Sequence, residues 1–466
     1  MPDFWDFLPQ TPRFTAKSDS IRLDQTENSQ RFLPVPYQTL GHLLTMLRSL
    51  LAIALSLAAF AHASEVRELI YPASTVPGEL KVESHFYLWL PAGVAELRGI
   101  VVHQHGCGTG SETSGMTGAD DLHWQALAAK WNCALVSTSY KAGDKGNCRD
   151  WCDSRNGSDV KFNLALADFA KETKHPELTS VPWCLWGHSG GGFWASLMQV
   201  AHPEKIVAIW FRSGTAFETW NNGGVPKPEI PEAVYGIPCM GNTGVKENGD
   251  KRFNGAWTGT HAMHLAYRAK GAPFGVAPDP RTSHQCGDQR YAAIAFFDTC
   301  LAMRLPAKDG EPLKPVDQTG AWLAEVDTDV AVPAAKFKGD KAKSVWLPNA
   351  AFAKVWMEYV KTGTVGDTTS PPAPTNVKVT GNEITWEAAA DFESGLGGFI
   401  IERDGKTIAK LPEKPDSTFG RPLFQGMQYS DTPKVPLAVM HYVDKDSTPG
   451  AKYRVIAVNS AGLPSS

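Results

Sequence analysis

Short apolar runs alternate with longer amphipathic stretches between Val66 and Leu305. The short runs end at polar or turn-forming residues and predict buried strands at 100–104, 134–138, 183–186, 206–211, 237–240 and 273–276. The longer stretches have the apolar spacing of helices, at 122–130, 160–174, 192–202, 260–270 and 291–302. This alternation predicts an α/β fold, in which helices cover both faces of a mostly parallel sheet.

The pattern changes after Leu305. The chain becomes rich in Pro, Lys and Asp, and an amphipathic stretch at 349–359 is expected to pack back on the preceding body. Residues 362–374 include Thr-Gly-Thr and Pro-Pro-Ala-Pro, which is the composition of an interdomain linker. Short alternating strands follow at 375–380, 383–387, 398–403, 406–410 and 452–459, and these predict an all-β sandwich.

The N-terminal region carries a targeting signal. Arg48 precedes the apolar run 50–60 and the small-residue site Ala-His-Ala at 61–63, which together predict a secretory signal peptide over 46–63. The apolar run is shorter than the roughly 20 residues that a membrane-spanning helix needs. We therefore expect a secreted or periplasmic protein, with residues 1–45 as a non-native upstream extension.

Composition excludes several kinds of partner. The formal net charge is −4 and the pI is near 6.4, so we expect neither nucleic acid nor a membrane surface as a partner. All 8 cysteines follow the predicted cleavage site, where an oxidising compartment favours disulfides. Cys148 and Cys152 flank a short loop and are candidates to pair locally, while the overall connectivity stays open. The Cys and His spacings match no zinc site, so no metal or cofactor is expected.

The strongest chemical motif lies where the strand at 183–186 meets the helix at 192–202. The connecting residues 187–191 read Gly-His-Ser-Gly-Gly. Small residues permit a sharp strand-to-helix turn, which lifts Ser189 above the sheet at the positive end of the helix. Ser189 is therefore the predicted nucleophile.

A glycine-rich loop, His105-Gly106-Cys107, follows the strand at 100–104. Backbone N–H groups in such a loop are candidates to stabilise the oxyanion of an acyl-transfer reaction. The predicted donors are Cys107 and Gly190, the residue after the nucleophile. An ordinary strand-end turn is the alternative, and a phosphate-binding loop is excluded because the lysine and the spacing are missing.

A serine nucleophile needs a histidine base. When the serine lies in a strand-to-helix turn of this kind, the base typically follows it along the chain. His284 lies in the loop between the last predicted strand of the sheet and the helix at 291–302, which is the position of the base. His261 and His264 follow a helical pattern and are expected at the surface or in packing contacts. His284 is therefore the predicted base.

The acid of the triad is expected after the strand at 237–240, where the segment 242–247 resembles the G-x-x-D turn that ends this strand in many α/β-hydrolases, with Glu in place of Asp. Glu247 is the first choice and Asp250 is the alternate. A solvated acidic loop without a catalytic role is a competing interpretation.

Four tryptophans lie in or beside loops near the predicted catalytic edge: Trp151, Trp194, Trp220 and Trp257. They are candidates to line a substrate cleft, where they would stack on sugar or aryl rings. Ordinary packing is the alternative for each of them. Trp151 belongs to the 148–152 loop, which a local disulfide would hold near the site.

These motifs resemble the α/β-hydrolase superfamily over about residues 100–305. The segments 105–107, 187–192 and 283–284 look most similar to secreted esterases of the feruloyl, acetyl-xylan and polyhydroxyalkanoate depolymerase type. The tail resembles a fibronectin type III domain through 371–377, Trp386, Tyr453 and 459–462, with both aromatic residues expected in packing roles. The resemblance implies an α/β-hydrolase fold followed by a fibronectin type III sandwich.

The predicted domain organisation follows from these boundaries. An α/β-hydrolase catalytic domain is expected at 64–361, with a C-terminal extension from about 306. The linker at 362–374 then leads to the fibronectin type III-like domain at 375–466.

The resemblance implies a serine esterase that cleaves carboxylic esters through an acyl-serine intermediate. The expected substrates are plant-polysaccharide esters or polyesters, so polymeric esters are among the expected partners. A secreted serine peptidase of related fold is one alternative, because the same triad cleaves amides. A catalytically dead hydrolase body that serves in binding or adhesion is the other. Turnover of p-nitrophenyl esters and of a peptide panel separates the three.

Overall fold

The apolar runs form the central sheet that the sequence predicts. The computed structural model describes residues 66–143, 146–308, 310–416 and 420–466. The predicted upstream extension and signal peptide thus lie outside the described residues. Within these ranges the sheet contains eight strands: β1 (Arg67–Tyr71), β2 (Glu83–Trp89), β3 (Gly99–Gln104), β4 (Cys133–Lys141), β5 (Trp183–His188), β6 (Ile206–Arg212), β7 (Cys239–Asn242) and β8 (Phe274–Val276). No helix in the described part of the chain is both long and apolar enough to cross a membrane.

The order of the strands determines the fold class. The spatial order is β1-β2-β4-β3-β5-β6-β7-β8. β2 is antiparallel to both β1 and β4, whereas β3 to β8 run parallel. This is the arrangement of the α/β-hydrolase fold, and the α/β class predicted from the pattern is confirmed.

Burial explains which strands the sequence predicts. β3, β5 and β6 are buried along their whole length, so each reads as a nearly continuous apolar run. β1 lies at the edge of the sheet and its residues are exposed or half-buried. The pattern therefore misses β1. It also misses the antiparallel neighbour β2, although five of its seven residues are buried.

Helices cover both faces of the sheet. In chain order they are α1 (Thr109–Gly115), α2 (Leu122–Lys130), α3 (Arg149–Cys152), α4 (Ser158–Thr173), α5 (Gly190–Ala201), α6 (Phe217–Asn221), α7 (Asn254–Arg268), α8 (Gln289–Arg304) and α9 (Ala350–Thr362). Side chains alternate across the pleat, so Leu185 belongs to the apolar cluster that includes Leu197 of α5, while Trp186 belongs to the one that includes Phe297 of α8. The sheet thus separates two apolar layers.

The extension after α8 packs back on the sheet, as the amphipathic pattern predicts. Three short strands, β9 (Trp322–Ala324), β10 (Ala331–Pro333) and β11 (Val345–Leu347), form an antiparallel sheet. α9 then follows, and Trp356 Nε1 donates a hydrogen bond to the carbonyl of Val276 at 2.7 Å. The hydroxyl of Tyr359 donates to Asp279 at 3.0 Å.

The C-terminal region contains two antiparallel sheets with the orders β12-β13-β16 and β15-β14-β17. The strands are β12 (Thr375–Thr380), β13 (Glu383–Glu387), β14 (Gly398–Arg403), β15 (Lys406–Leu411), β16 (Met440–Val443) and β17 (Tyr453–Val458). Trp386 is buried and meets Phe399 with ring centroids 5.2 Å apart. The two sheets are compatible with the predicted sandwich, while its fibronectin type III identity stays a prediction.

A hairpin of this C-terminal region reaches into the α/β body. Met427 and Pro433 pair across it, and its tip is the turn Gln428–Thr432, hereafter the 428–432 tip. The side-chain amide of Gln428 donates to Thr117 Oγ1 at 2.9 Å. The tip is thus bonded to the segment that connects α1 to α2.

A buried ion-pair network anchors the tip. Arg290 of α8 bonds Asp121 with its Nη2 at 2.7 Å and Asp431 with its Nε at 3.1 Å. All three side chains are at most 4% exposed. Burial alone would lower the pKa of Arg290, but the two carboxylates outweigh it and raise that pKa. The cation therefore stays charged between the two carboxylates.

Replacement of Arg290 by Met should destabilise the protein strongly. It leaves two buried carboxylates without their cation, which costs about 3–5 kcal/mol in the free energy of unfolding. Guanidinium unfolding at neutral pH measures this loss. The control is Arg67→Met, which breaks an exposed pair with Glu172 and should cost less than about 1 kcal/mol. Equal losses in the two variants would contradict the assigned role of the network.

Candidate active site

Ser189 occupies a strained turn between β5 and α5, at residues 187–191, hereafter the elbow. Its φ is +53° and its ψ is −112°, a conformation that residues with a side chain rarely adopt. Its N–H donates to the carbonyl of Arg212 at the end of β6 at 2.8 Å, and its carbonyl accepts from Phe193 at 3.1 Å. These bonds hold the half-buried Ser189 at the N-terminus of α5.

The elbow has no room for side chains at its glycines. A Cβ at Gly187 would lie 2.4 Å from the carbonyl oxygen of Gly191, and one at Gly190 would lie 2.3 Å from Cys107 Sγ. A Cβ at Gly106 would lie 3.2 Å from that of Ser189. The loop after β3 therefore lies directly against the elbow.

The structure brings His284 and Glu247 together. His284 Nδ1 lies 2.6 Å from Glu247 Oε1. The other oxygen of this carboxylate accepts from the hydroxyl of Ser213 and from the N–H of Gly244, both at 3.1 Å. Glu247 is fully buried and His284 is 7% exposed. The carboxylate thus fixes the imidazole with Nδ1 as the hydrogen-bond donor.

Burial determines the electrostatics of this pair. Burial raises the pKa of Glu247 to about 7, although Arg212, Ser213 and Gly244 favour the carboxylate. Burial also lowers the pKa of His284 to about 3, and Arg212 acts in the same direction. Phe253 stacks on the imidazole with ring centroids 4.0 Å apart, which contributes to this desolvation. At neutral pH His284 is therefore a neutral base.

Asp250, the alternate acid, has a different role in the structure. Its Oδ1 accepts hydrogen bonds from the backbone N–H groups of Arg252 and Phe253 at 2.7 and 2.8 Å. These bonds lower the pKa of Asp250 and order the turn before α7. Of the two predicted candidates, it is Glu247 that hydrogen-bonds to His284.

Arg212 holds the loop that carries His284. Its guanidinium is fully buried and donates to Thr282 Oγ1 at 3.1 Å and to the carbonyls of Ser283 and Gln285. It also donates to Asn242 at the end of β7 at 3.1 Å. Arg212 is not among the residues that the sequence predicts for the site, although a charged residue that ends the apolar run of β6 is a signal that could have identified it.

The loop after β3 is fixed by His105. This side chain is buried, and its Nδ1 donates to the carbonyl of Gly106 while Nε2 accepts from the N–H of Tyr140 at 3.0 Å. Burial lowers its pKa to about 4, so the imidazole is neutral. A Cβ at Gly190 would lie 3.5 Å from the N atom of Cys107, which places the two predicted oxyanion donors side by side.

A disulfide joins Cys107 to Cys148 in the described chain. It ties the loop after β3 to the start of α3, across 41 positions of sequence. The predicted local pairing of Cys148 with Cys152 is therefore wrong, because Cys152 is a buried free thiol on α3. Sequence spacing favoured the near neighbour, whereas the fold brings the distant cysteine to Cys148.

Ser430 of the 428–432 tip connects three loops of the site. Its Oγ accepts from the N–H of Gly106 at 3.2 Å and lies 3.0 Å from His188 Nδ1. His188 Nε2 lies 2.9 Å from the carbonyl of His284, so Nε2 carries the proton and Nδ1 accepts from Ser430. The chain of bonds runs from the loop after β3, through the elbow, to the loop of the base. No local pattern marks Ser430 in the sequence.

Three of the four tryptophans predicted in a cleft lie in the core instead. Trp151, Trp194 and Trp220 are at most 1% exposed, so the prediction is corrected for them. Trp151, for example, stacks on Tyr140 with centroids 5.0 Å apart. Trp257 is half-buried and stacks on His261 at 4.2 Å, so its place in a cleft stays a prediction.

Two groups of potential metal ligands occur in the described ranges. Cys107, Cys148 and Cys152 have sulfur atoms within 4.8 Å of one another, but the disulfide leaves only one thiol. The other group is Asp367, Asp391 and Glu393 in the C-terminal part of the chain. The carboxylates of Asp367 and Asp391 accept hydrogen bonds from Ser394 and Asn459, and that of Glu393 accepts one from Thr369. Neither group belongs to the His284–Glu247 site.

Comparison with known proteins gives fold-level likenesses at low identity. Neither a protein-family profile nor a curated protein matches the sequence. Among solved structures, the chain is similar to an acylaminoacyl peptidase from Pyrococcus horikoshii (10% identity, TM-score 0.36, 55% of this chain and 44% of that one). It is also similar to an S-formylglutathione hydrolase from Agrobacterium tumefaciens (14%, 0.33, 52% and 95%) and to a carboxyl esterase from Bacillus coagulans (11%, 0.33, 51% and 98%).

The chain thus spans less than half the length of the peptidase and nearly all of the two smaller enzymes. Because these TM-scores are below 0.5, the fold assignment rests on the strand order and on the elbow. On that basis the described chain contains an α/β-hydrolase fold.

Proposed function

We propose that this chain is a serine hydrolase that cleaves carboxylic esters through an acyl-serine intermediate. One observation carries the proposal: the strained Ser189 elbow lies beside the loop whose His284 pairs with a buried carboxylate. A strained turn of this kind persists only where the surrounding structure enforces it, and such strain clusters at functional sites. The adjacent loop with Cys107 supplies a further element that acyl transfer needs.

The proposed reaction uses these groups in sequence. Ser189 Oγ attacks the ester carbonyl carbon while Nε2 of His284 takes its proton, and Glu247 stabilises the imidazolium. The carbonyl oxygen becomes an oxyanion that accepts hydrogen bonds from the N–H groups of Cys107 and Gly190, each worth about 3–4 kcal/mol. The C–O bond then breaks, and the leaving alcohol takes the proton from His284. Water repeats these steps on the acyl-serine and releases the acid.

The location and the substrate class are also proposals. We propose a secreted or periplasmic enzyme that acts on plant-polysaccharide esters or polyesters. The Cys107–Cys148 disulfide supports this location, because such bonds persist in oxidising compartments. A panel of acetylated xylan, feruloylated arabinoxylan and polyhydroxybutyrate tests the substrate class.

Replacement of Ser189 by Ala should abolish ester hydrolysis. The loss of the nucleophile should lower kcat for p-nitrophenyl acetate by about 10⁶-fold, and His284→Ala should do the same. A serine-directed phosphonate should label the native protein but not Ser189→Ala, as mass spectrometry of the adduct would show. Ser180→Ala removes an exposed serine and serves as the control. Residual activity above one-tenth in a folded Ser189→Ala variant would refute the proposal.

Replacement of Glu247 by Gln should separate the two candidate acids. The amide cannot stabilise the imidazolium, so kcat should fall by about 10⁴-fold. Asp250→Asn, the matched control, should stay within about threefold, because Asp250 bonds the backbone and not His284. The reverse order of effects would identify Asp250 as the acid.

The pH dependence of kcat/KM should reflect the ionisation of the Glu247 carboxyl group. Its carboxylate must be ionised to stabilise the imidazolium, and its pKa is raised to about 7. kcat/KM should therefore fall as pH drops through about 7, whereas His284 is already neutral there. Stopped-flow or steady-state profiles from pH 5 to 9 measure this limb. An unchanged limb in Glu247→Gln would show that another group titrates.

A further inference from the structure

The 428–432 tip places one aromatic ring beside the candidate base. The ring centroid of Tyr429 lies 5.3 Å from that of His188 and 6.5 Å from that of His284. The Tyr429 side chain is 45% exposed, whereas the adjacent Ser430 is fully buried. A large aromatic side chain that stays accessible among buried groups is available to a ligand.

The backbone around Tyr429 is held firmly on both sides. The N–H of Ser430 donates to Ser114 Oγ at 3.2 Å, and Asp431 pairs with the buried Arg290. On the other side, Gln428 N–H donates to Thr432 across the turn at 2.8 Å. Because the backbone is already ordered, little conformational entropy is lost when the ring contacts a substrate.

The proposed mechanism places the alcohol part of the ester on the same side. The carbonyl oxygen points to the N–H groups of Cys107 and Gly190, whereas the leaving oxygen must reach His284 to receive its proton. Phe253 covers one face of the His284 ring. Tyr429 is a further aromatic neighbour of that ring, and unlike His188 it is exposed, so it borders the volume that the alcohol enters.

We propose that Tyr429 forms the subsite for the alcohol part of the ester and that this subsite takes alcohols that carry a ring. The shared chemistry is a flat ring face that stacks on the tyrosine, from either an aryl group or a sugar. This inference rests on the proposed ester hydrolysis. It makes the C-terminal region a part of the substrate site, contributed from about 240 positions beyond Ser189.

Two isomeric esters test the inference. Benzyl acetate has its ring in the alcohol, whereas methyl phenylacetate has the same atoms with the ring in the acyl group. Methyl acetate has no ring and serves as the reference ester. A methyl 2-O-acetyl-xyloside tests whether the ring can be that of a sugar. For Tyr429→Ala in the full chain, kcat/KM for a ring-bearing alcohol ester should fall about tenfold, while methyl acetate and methyl phenylacetate change less than about twofold.

The ester whose kcat/KM falls in Tyr429→Ala identifies the kind of ring that the subsite takes. A loss for benzyl acetate assigns an aryl alcohol, and a loss for the xyloside assigns a sugar. No loss in either arm overturns the inference, and so does an equal loss for methyl phenylacetate or for methyl acetate. Benzyl acetate and methyl acetate form the same acetyl-serine, so a deacylation-limited kcat should not change in Tyr429→Ala.

Three controls separate the possible failures. Tyr429→Phe keeps the ring and should retain native kcat/KM within about twofold. Val439→Ala shortens an apolar side chain of the C-terminal region that is 75% exposed, and it should leave kcat/KM unchanged for every ester. Thermal unfolding compares the folding of the variants, and Tyr429→Leu replaces Tyr429→Ala if the latter unfolds. A native chain that hydrolyses none of the esters, or an active Ser189→Ala, refutes the proposed function instead.

Discussion

Arg290 carries a buried positive charge that forms ion pairs with two carboxylates from different parts of the chain. Asp121 at the start of α2 supplies one carboxylate, and Asp431 of the 428–432 tip supplies the other. The Arg290–Asp431 pair crosses between the α/β body and the C-terminal region, and breaking a buried pair of this kind costs several kcal/mol. The contacts that the tip makes in the site, through Ser430 and Tyr429, depend on this docking.

Docking links loops that would otherwise move separately. The loop after β3, the elbow and the loop that carries His284 come from different parts of the sheet, and such loops are the mobile parts of most folds. The Ser430 hydroxyl bonds Gly106 and His188, and His188 in turn bonds the carbonyl of His284. Arg212 adds a second restraint on the base loop. The geometry of the site is therefore a property of both parts of the chain.

The sequence predicts the centre of the sheet because strands buried on both faces read as apolar runs. It misses β1, whose residues are exposed or half-buried at the edge. The candidate site follows a similar rule: Ser189, His284 and Glu247 could be predicted from local order along the chain. Ser430 could not, because the residue that it bonds lies 242 positions away. Nor does the abundance of tryptophan reveal which rings are buried, since packing and stacking use the same side chain.

The segment at 362–374 shows why composition does not determine mobility. Its Pro and Thr content is typical of a stiff spacer. In the structure, Asp367 of this segment accepts from Asn459 at 2.8 Å and from Ser394 at 2.7 Å, which ties it to the C-terminal sheets. The carbonyl of Gly363 accepts from Arg281, three residues before the base. A connection that is hydrogen-bonded to both parts of the chain that it joins cannot act as a free tether. This agrees with the proposal that the C-terminal region forms one wall of the site.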